Sequence, residues 1–431
     1  MSPHLRLVFL IWLGPGLALG QKAPPTDTLR ILHLDQIIET IQVSNPDIKA
    51  SKLASDALAT KGIQVSSLPD PTIMLNVQPF PVYTARGTQR SQFRVEQAVP
   101  FPGKLGLKGE IADLGAVISS YGTDVLEDDL ILRAKFAFYE IYRLQRHEIL
   151  IHEFQNKLRD FESIAAAQYE VGRGMQQAIL KAQLERNTLS KALLDLAWQR
   201  KSAAETVAKL VNGPVSLSTP TNIEITVPEL PDLDELVLLS MALKNRPESN
   251  ALDTSAERAD VSIDLAKKLF LPDFTFSVSY FDVAKSDIPP NADGKNALAL
   301  GISVKVPLQR GRLKARLQEA RLQRNRVDLG IESLVTGFRT RISDIVSRTR
   351  EDVRQFELYQ QTLIPQAETT LEATLIAYTT GRTDFLNLLD AERVLFMVHT
   401  GYEDVVARYL KTIAVLEREL GIISISDLID N

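Results

Sequence analysis

Two long stretches of the chain repeat apolar residues at the spacing of a coiled-coil helix. The first runs from Lys104 to Gln168 without a proline, and the second runs from Arg312 to Tyr378. Each has a seam near period 3.5, which is typical of helices that pack side by side over many turns. At 1.5 Å per residue each helix would be on the order of 100 Å long. Pro365 is expected to kink or loosen the second one.

Shorter helical stretches are expected to run back along these two helices. Met175–Asn212 and Asp384–Leu420 follow the long helices directly, while Leu32–Ser66 and Leu233–Leu269 precede the strands of each half. Two pieces of roughly 35 residues, placed end to end, match one long helix in length. The pattern therefore predicts a long stacked bundle.

Between these helices the hydrophobic period changes to two, which predicts four strands in two hairpins. The strands are expected at Thr72–Gln78, Gln92–Val99, Phe274–Tyr280 and Leu298–Val306, with polar loops at Tyr83–Arg90 and Ala284–Lys295. The pattern fits a soluble sheet packed on helices and a membrane sheet equally well. Four strands cannot close a barrel, because spanning barrels start at about 8, so a membrane role requires several chains.

The two halves of the chain resemble each other. Tyr378–Glu392 and Tyr169–Gln183 align without a gap, with Gly172 on Gly381 and Arg173 on Arg382. Other landmarks recur in the same order, namely Leu68-Pro69-Asp70 with Leu271-Pro272-Asp273, Val99-Pro100 with Val306-Pro307, and, more loosely, Asn45-Pro46 with Asn245-Arg246-Pro247. A glycine between helix-forming runs permits a left-handed turn, so each half is predicted to contain a helical hairpin turning at Gly-Arg.

This duplication gives the predicted domain organisation. Residues 21–212 form the first repeat, 213–231 a proline-rich connector, 232–421 the second repeat and 422–431 a tail. Met1–Gly20 combines Arg6, a short apolar run and small residues before Gln21, which predicts a secretory signal peptide. The chain has no cysteine, so neither a disulfide nor a cysteine-linked lipid anchor is expected.

The composition narrows the chemistry further. A formal net charge of −5 gives no reason to expect nucleic-acid binding. His147 and His152 are five residues apart, whereas a zincin helix needs four, so no metal site is predicted there. Gly103-Lys104 lacks the rest of a phosphate loop. We expect neither an enzyme nor a cofactor.

Acidic residues near the second hairpin turn form the main candidate site. Asp384, Asp390 and Glu392 lie in or just after that turn, and a symmetric assembly would arrange each of them in a ring. Carboxylate rings at a constriction select or gate cations. The alternative is that these acids only complement the helix dipole, which fits Asp384 better than Asp390.

Taken together, these features resemble the TolC-like outer-membrane efflux protein family. The resemblance is carried by Tyr378-x-x-Gly381-Arg382 with Leu389-Asp390-Ala391-Glu392, by Leu271-Pro272-Asp273, by Val306-Pro307-Leu308 with Gly311-Arg312, and by Leu363-Ile364-Pro365-Gln366-Ala367. Phe101-Pro102-Gly103-Lys104 is similar to the branch that partners heavy-metal-efflux pumps of the RND type.

The resemblance implies a mainly α protein with a membrane β-barrel contribution. In a homotrimer, each chain would give four strands to one 12-stranded barrel in outer-membrane lipid, and the helices would form an α-barrel through the periplasm. The tips, Gly172-Arg173 and Gly381-Arg382, would contact a periplasmic adaptor, which joins the duct to an inner-membrane RND-type transporter. Asp390 matches an acidic position of the pore entrance, whereas Asn387 replaces the acid one turn earlier.

The expected function is the exit duct of a tripartite efflux pump. Two alternatives remain open from the sequence. One is an outer-membrane duct for type I protein secretion, and the other is a soluble periplasmic coiled-coil scaffold.

Overall fold

The computed structural model describes residues 29–30, 33–216, 234–287 and 290–425. The predicted signal peptide lies outside these ranges, as do residues 217–231 of the predicted connector and 426–431 of the predicted tail. Within the described ranges, none of the helices is both long and apolar enough to cross a membrane.

Two long helical elements form the frame of the molecule. Helix α4 covers Lys104–Glu170, and the second element consists of α8 (Arg310–Leu358), a π-helical turn (Tyr359–Leu363) and α9 (Ile364–Thr379). The π turn lies immediately before Pro365, whose ring carries no N–H to donate. The predicted loosening at this proline is therefore confirmed.

Shorter helices pack along this frame in two stacked pieces per repeat. In the first repeat these are α1 (Leu34–Ser44), α2 (Pro46–Ala59), α3 (Lys61–Ser66) and α5 (Gln176–Val211), all of which contact α4. In the second they are α6 (Glu235–Asn245), α7 (Pro247–Lys268) and α10 (Phe385–Leu420), which pack on α8, with α10 also on α9. Because α7 and α10 also contact α4, the two repeats form one continuous bundle, as predicted.

The core follows the predicted seams. Every α4 seam residue from Ala137 to Ala165 is buried, and Phe338, Ile342 and Ile345 of α8 are buried as well. The buried apolar residues form three clusters. One lies in the tip half, and the other two share the C-terminal half of α10, one with α4 and the other with α8.

Four strands form one antiparallel sheet at the end of the bundle. They are β2 (Thr72–Thr84), β3 (Gly87–Val99), β5 (Asp273–Ala284) and β6 (Ala297–Lys305), in the order β2-β3-β5-β6. Two short strands, β1 (Leu29–Arg30) and β4 (Val215–Ser216), pair in parallel elsewhere and were not predicted. The two predicted hairpins are confirmed, and β3 pairs with β5 to join the repeats.

The first hairpin differs from the sequence prediction at its turn. The expected polar loop Tyr83–Arg90 is wrong, because the strands stay paired up to Thr84 and Gly87 and leave only Ala85-Arg86 in the turn. A register shift between Val77 and Val82 interrupts the two-residue period, and this irregularity hid the rest of the strand. Gly87 has φ of 133°, and a Cβ there would lie 2.2 Å from the Ala284 carbonyl oxygen. Only glycine fits this position.

Candidate pore entrance and amphipathic sheet

The two hairpin tips have the same backbone geometry. Gly172 and Gly381 adopt left-handed conformations, with φ of 74° and 73°. The amide of Arg173 donates to the Gln168 carbonyl at 2.8 Å, and the amide of Arg382 donates to the Ala377 carbonyl at 2.8 Å. Each glycine amide also donates to a carbonyl three residues back, at 3.0 Å. These bonds define a Schellman motif at the end of α4 and another at the end of α9.

The tips lie side by side and form one surface. The Gln168 side-chain amide donates to the Thr379 carbonyl at 3.4 Å, which joins the ends of α4 and α9. A groove of about 630 Å³ is lined by both tips, including Arg173, Gly381 and Asp384. Arg382 donates to the Thr380 hydroxyl at 3.2 Å and is exposed. The predicted tip residues are thus brought together at one end of the bundle.

Asp384 begins the returning helix. Its Oδ1 accepts a hydrogen bond from the Asn387 amide at 3.0 Å, so Asp384 is the N-cap of α10. The Asn387 side chain in turn donates to the Thr383 hydroxyl at 2.8 Å. Asp384, Asn387 and Asp390 are all exposed on the first turns of α10. Asp384 therefore stabilises the start of α10, as expected of an acid that complements the helix dipole. Asp390 has no comparable local structural role.

The structure separates Glu392 from these three residues. Its side chain is buried, with 2% of the residue exposed, and its Oε1 has no hydrogen-bond partner. Residues two apart on a helix point about 200° away from each other, so Glu392 faces the bundle interior while Asp390 faces outward. Glu392 therefore does not share the exposed surface on which the sequence analysis grouped it.

The surroundings of Glu392 perturb its titration. Burial raises the pKa of its carboxyl to about 7, the negative charge of Glu185 on α5 raises it as well, and Lys157 and Arg393 act in the opposite direction. Arg393 hydrogen-bonds and ion-pairs with Glu185, which joins α10 to α5 just above the tips. Sequence reasoning missed Glu185 and Lys157, because only the packing of three helices brings them near Glu392.

His147 and His152 do not form a metal site with neighbouring carboxylates. His147 Nε2 lies 3.1 Å from Asp404 Oδ1, while His152 is exposed on the helix surface. Across the described ranges, no group of three or more histidine, aspartate or glutamate side chains is placed to hold a metal ion.

The two faces of the sheet have opposite character. Residues paired directly across antiparallel strands lie on the same face, so the register assigns each side chain to a face. One face carries apolar and aromatic side chains that are 44–79% exposed: Ile73, Leu75, Val77, Phe93, Phe276, Val278, Tyr280, Leu298, Leu300 and Ile302. No helix in the described part of the chain covers this face.

Most side chains of the other face are polar or small, although the register also places Met74 and Phe281 there. Arg94 lies at its centre. Its Nε donates to the Ser279 hydroxyl at 3.0 Å, and its guanidinium pairs with Glu96 at 3.1 Å. Asn76, Gln92 and Ser277 share this face by register. A sheet with one apolar exposed face and one hydrogen-bonded polar face fits a wall between lipid and water. The soluble alternative, in which helices cover the apolar face, does not fit this arrangement.

A helical bundle with paired tips at one end and an amphipathic sheet at the other has the architecture of TolC-like outer-membrane channels. Residues 238–421 match the sequence model of the family described as outer membrane efflux protein. The chain is also 20% identical, over 95% of its length and 97% of the relative, to the cobalt-zinc-cadmium resistance protein CzcC of Cupriavidus metallidurans.

Solved structures share the whole architecture. A crystal structure of CusC superposes with a TM-score of 0.76 at 16% identity, covering 94% of this chain and 96% of CusC. The open state of the Neisseria gonorrhoeae MtrE outer membrane channel gives a TM-score of 0.71 at 17% identity, covering 96% and 98%. These matches confirm the predicted fold class. The family match over residues 238–421 supports the predicted outer-membrane localisation.

Proposed function

We propose that this chain is one of three identical subunits of the exit duct of a tripartite efflux pump. The observation that carries this proposal is the exposed apolar face of a sheet whose outer strands, β2 and β6, each have one unpaired edge. Open edges cannot face lipid, and four strands are too few to close a barrel. Three copies would supply the twelve strands that the family resemblance implies.

The arrangement of the helices also supports an assembly of several subunits. Their order in the tip half is α5, α4, α10 and α9, which leaves α5 and α9 at the two sides of the subunit. The α5 side carries four apolar residues that are 56–73% exposed, namely Leu180, Leu184, Leu194 and Trp198. On the other side, the long element of α8 and α9 carries four that are 50–66% exposed, namely Leu322, Leu329 and Leu358 on α8 and Ile376 on α9. Neighbouring subunits would bury both rows, and the helices would then form a tunnel through the periplasm.

The tips are the proposed contact with a periplasmic adaptor. Arg173 and Arg382 are exposed beside the two left-handed glycines, and the groove between the tips offers a polar surface for a partner. The adaptor would connect the duct to an inner-membrane RND-type transporter. The transporter would supply the energy and select the cargo, so the duct itself needs no cofactor.

A ring of acidic residues is the proposed pore entrance. Asp390, with Asn387 about one turn and Asp384 about two turns closer to the tip, would be repeated three times around the channel axis and would favour cations. Glu392 acts within the subunit and is not part of this ring. The relative CzcC is named for cobalt, zinc and cadmium resistance, and we propose that the cargo of this duct likewise includes divalent metal cations.

Adjacent residues on β2 provide a matched test of the membrane assignment. Leu75 lies on the apolar face and Asn76 on the polar face of the same strand. A lysine on the lipid side costs about 2–4 kcal/mol near the bilayer centre, whereas one on the water side costs little. Leu75→Lys should therefore deplete the trimer from the outer-membrane fraction, and Asn76→Lys should leave its amount near that of the unmodified protein.

The same preparation tests the duct. The purified trimer should conduct ions in a planar bilayer, and a strain lacking the gene should lose metal tolerance that the unmodified gene restores. A freely soluble monomer, or equal tolerance of lysine at residues 75 and 76, would refute the proposal and favour a periplasmic scaffold.

A further inference from the structure

A run of cations follows the last strand of the sheet. From Val304 to Gln318 the chain contains Lys305, Arg310, Arg312, Lys314 and Arg316 and no aspartate or glutamate. All five side chains are exposed. They occupy the end of β6 and the first two turns of α8, where the sheet meets the helical bundle.

This basic run begins where the apolar face of the sheet ends. Alternate residues from Leu298 to Leu308 continue the apolar row and are 48–81% exposed, with Leu308 the most exposed of them. Arg310 follows two residues later. A band of exposed apolar side chains that stops at a row of cations has the profile of the boundary between hydrocarbon and lipid headgroups.

Two acidic residues near this level already have partners. Asp273 accepts from Lys104 Nζ at 2.8 Å, and Asp264 pairs with Lys267 at 2.7 Å. By contrast, the four cations of α8 make no ion pair with any carboxylate in the described ranges. They therefore carry a net positive charge that the subunit itself leaves uncompensated.

The first of these cations is held in place by packing. The Arg310 guanidinium lies 5.8 Å from the centre of the Phe270 ring, at the end of α7. Lys268, two residues before Phe270, donates to the Pro102 carbonyl at 3.3 Å. These contacts fix the start of α8 against the ends of α7 and β3, so the basic row has a defined height relative to the sheet.

We propose that Arg310, Arg312 and Lys314 bind the phosphates of anionic phospholipids in the periplasmic leaflet of the outer membrane. The proposal rests on the proposed function, because the sheet must lie in the membrane for the row to meet headgroups. Guanidinium groups form paired hydrogen bonds with phosphate oxygens. A headgroup without a compensating amine, such as phosphatidylglycerol, complements the uncompensated charge better than a zwitterionic headgroup does.

The test compares two triple variants with equal loss of charge. The first is Arg310→Gln, Arg312→Gln, Lys314→Gln at the boundary. The control is Arg326→Gln, Arg339→Gln, Arg354→Gln, which removes exposed arginines deeper in the same helix, roughly 24 Å or more from Arg310 by helical rise. The purified trimers are incubated in detergent with an equimolar mixture of phosphatidylglycerol and phosphatidylcholine, and retained lipid is counted by native mass spectrometry.

The unmodified trimer should retain phosphatidylglycerol preferentially, and inorganic phosphate at equal concentration should not displace it. Losing three cations near a charged surface should weaken this retention by about tenfold or more. The control triple should change it less than about twofold, because exposed charges beyond a Debye length are screened. Equal retention of the two lipids by the unmodified trimer, equal loss in both triples, or displacement by inorganic phosphate would each overturn the proposal.

A failure here can be told apart from a failure of the proposed function. The boundary triple leaves the apolar face, the tips and Asp390 unchanged, so it should still form a conducting trimer. A conducting trimer without lipid preference would reject only the headgroup site, whereas a soluble monomer would reject both.

Discussion

Asn45 and Asn245 make the same tertiary hydrogen bond in the two halves of the molecule. Asn45 donates from Nδ2 to the Leu210 carbonyl at 2.8 Å, near the end of α5, and Asn245 donates to the Leu420 carbonyl at 3.3 Å, at the end of α10. Each bond fixes the junction where two shorter helices meet end to end along a long one. The structural repeat therefore extends to side chains whose sequence similarity is loose.

Asn45 should contribute more to stability than Asn245. Its Oδ1 also caps α2, accepting from the amides of Asp47 at 2.9 Å and Ile48 at 3.2 Å, and it is almost fully buried. Asn45→Ala should lower the free energy of unfolding by about 2–3 kcal/mol, since it removes a cap and leaves the Leu210 carbonyl unpaired. Asn245→Ala should cost about 1 kcal/mol. Denaturant unfolding of the purified trimer measures both, and equal costs would show that the cap contributes nothing.

The elements that could be predicted from sequence are those with an uninterrupted period. The α4 seam from Ala137 to Ala165 has a regular repeat over many turns, and the alternation from Phe274 to Tyr280 is equally regular. The β2–β3 turn could not be predicted in the same way, because the register shift after Val77 breaks the alternation. These strands are longer than the local sequence pattern indicates, because pairing across the hairpin continues beyond the register shift.

The candidate site, too, could be predicted from the sequence only in part. The tips could be predicted because a glycine between two helical stretches commonly ends the first helix in a left-handed turn. Gly172 and Gly381 both have positive φ, as expected. Glu392 was grouped with Asp390 by proximity in sequence, although a helical period of 3.6 already places them on different faces. Its charged neighbours Glu185 and Lys157 come from other helices, so their approach could not be inferred from sequence.

Replacing a tip glycine with alanine should destabilise the structure, whereas the same replacement in the interior of a helix should stabilise it. Alanine in a left-handed conformation costs about 1–2 kcal/mol, so Gly172→Ala and Gly381→Ala should each loosen the turn. Apart from the adjacent residues in the chain, no heavy atom of the described residues lies within 4 Å of a Cβ built at either position, so the cost is in the backbone. Hydrogen exchange at the Arg173 and Arg382 amides should accelerate by about tenfold.

Gly122 is the matched control for this prediction. It lies inside α4, has open space around a built Cβ and has no positive φ. Gly122→Ala should stabilise the helix by up to about 1 kcal/mol. If both tip variants were as well tolerated as Gly122→Ala, the left-handed turns would not be required for the hairpins.

Glu392 should make stability depend on pH. Its pKa is about 7 in the folded chain, against an ordinary value of 4.5. Between these values the folded state holds a proton that the unfolded state has released, so stability is fully present below pH 4.5 and falls as the pH rises towards 7. At 1.36 kcal/mol per pKa unit the total loss is about 3 kcal/mol.

Glu392→Gln tests this dependence. The amide is neutral at every pH, so the variant should be more stable than the unmodified protein at pH 8 by about 1–3 kcal/mol and should gain little at pH 4.5. Asp195→Asn is the control, because it removes an exposed acid from α5 outside the proposed entrance. Thermal unfolding of the trimer at several pH values measures the effect. A parallel shift at all pH values would mean that Glu392 acts by packing alone.

Asp390 should control cation passage if the proposed entrance is correct. It is exposed on α10, and no hydrogen bond within the described ranges gives it a role in the fold, whereas Asp384 caps the helix. Three copies around a narrow entrance would concentrate negative charge, which attracts cations and holds the constriction closed when it binds them. Asp390→Ala should therefore raise single-channel conductance or cation leak without altering trimer stability.

Two further variants separate charge at the entrance from charge elsewhere. Asp384→Ser retains a hydroxyl that can cap α10 while removing its charge, so a smaller change in the same direction is expected. Asp195→Asn removes an exposed acid from α5, roughly 30 Å along the helix from its start beside the first tip, and should leave conductance unchanged. Planar-bilayer recordings under a salt gradient measure both conductance and the preference for cations. If Asp390→Ala matched Asp195→Asn in both quantities, the acidic ring would have no part in gating.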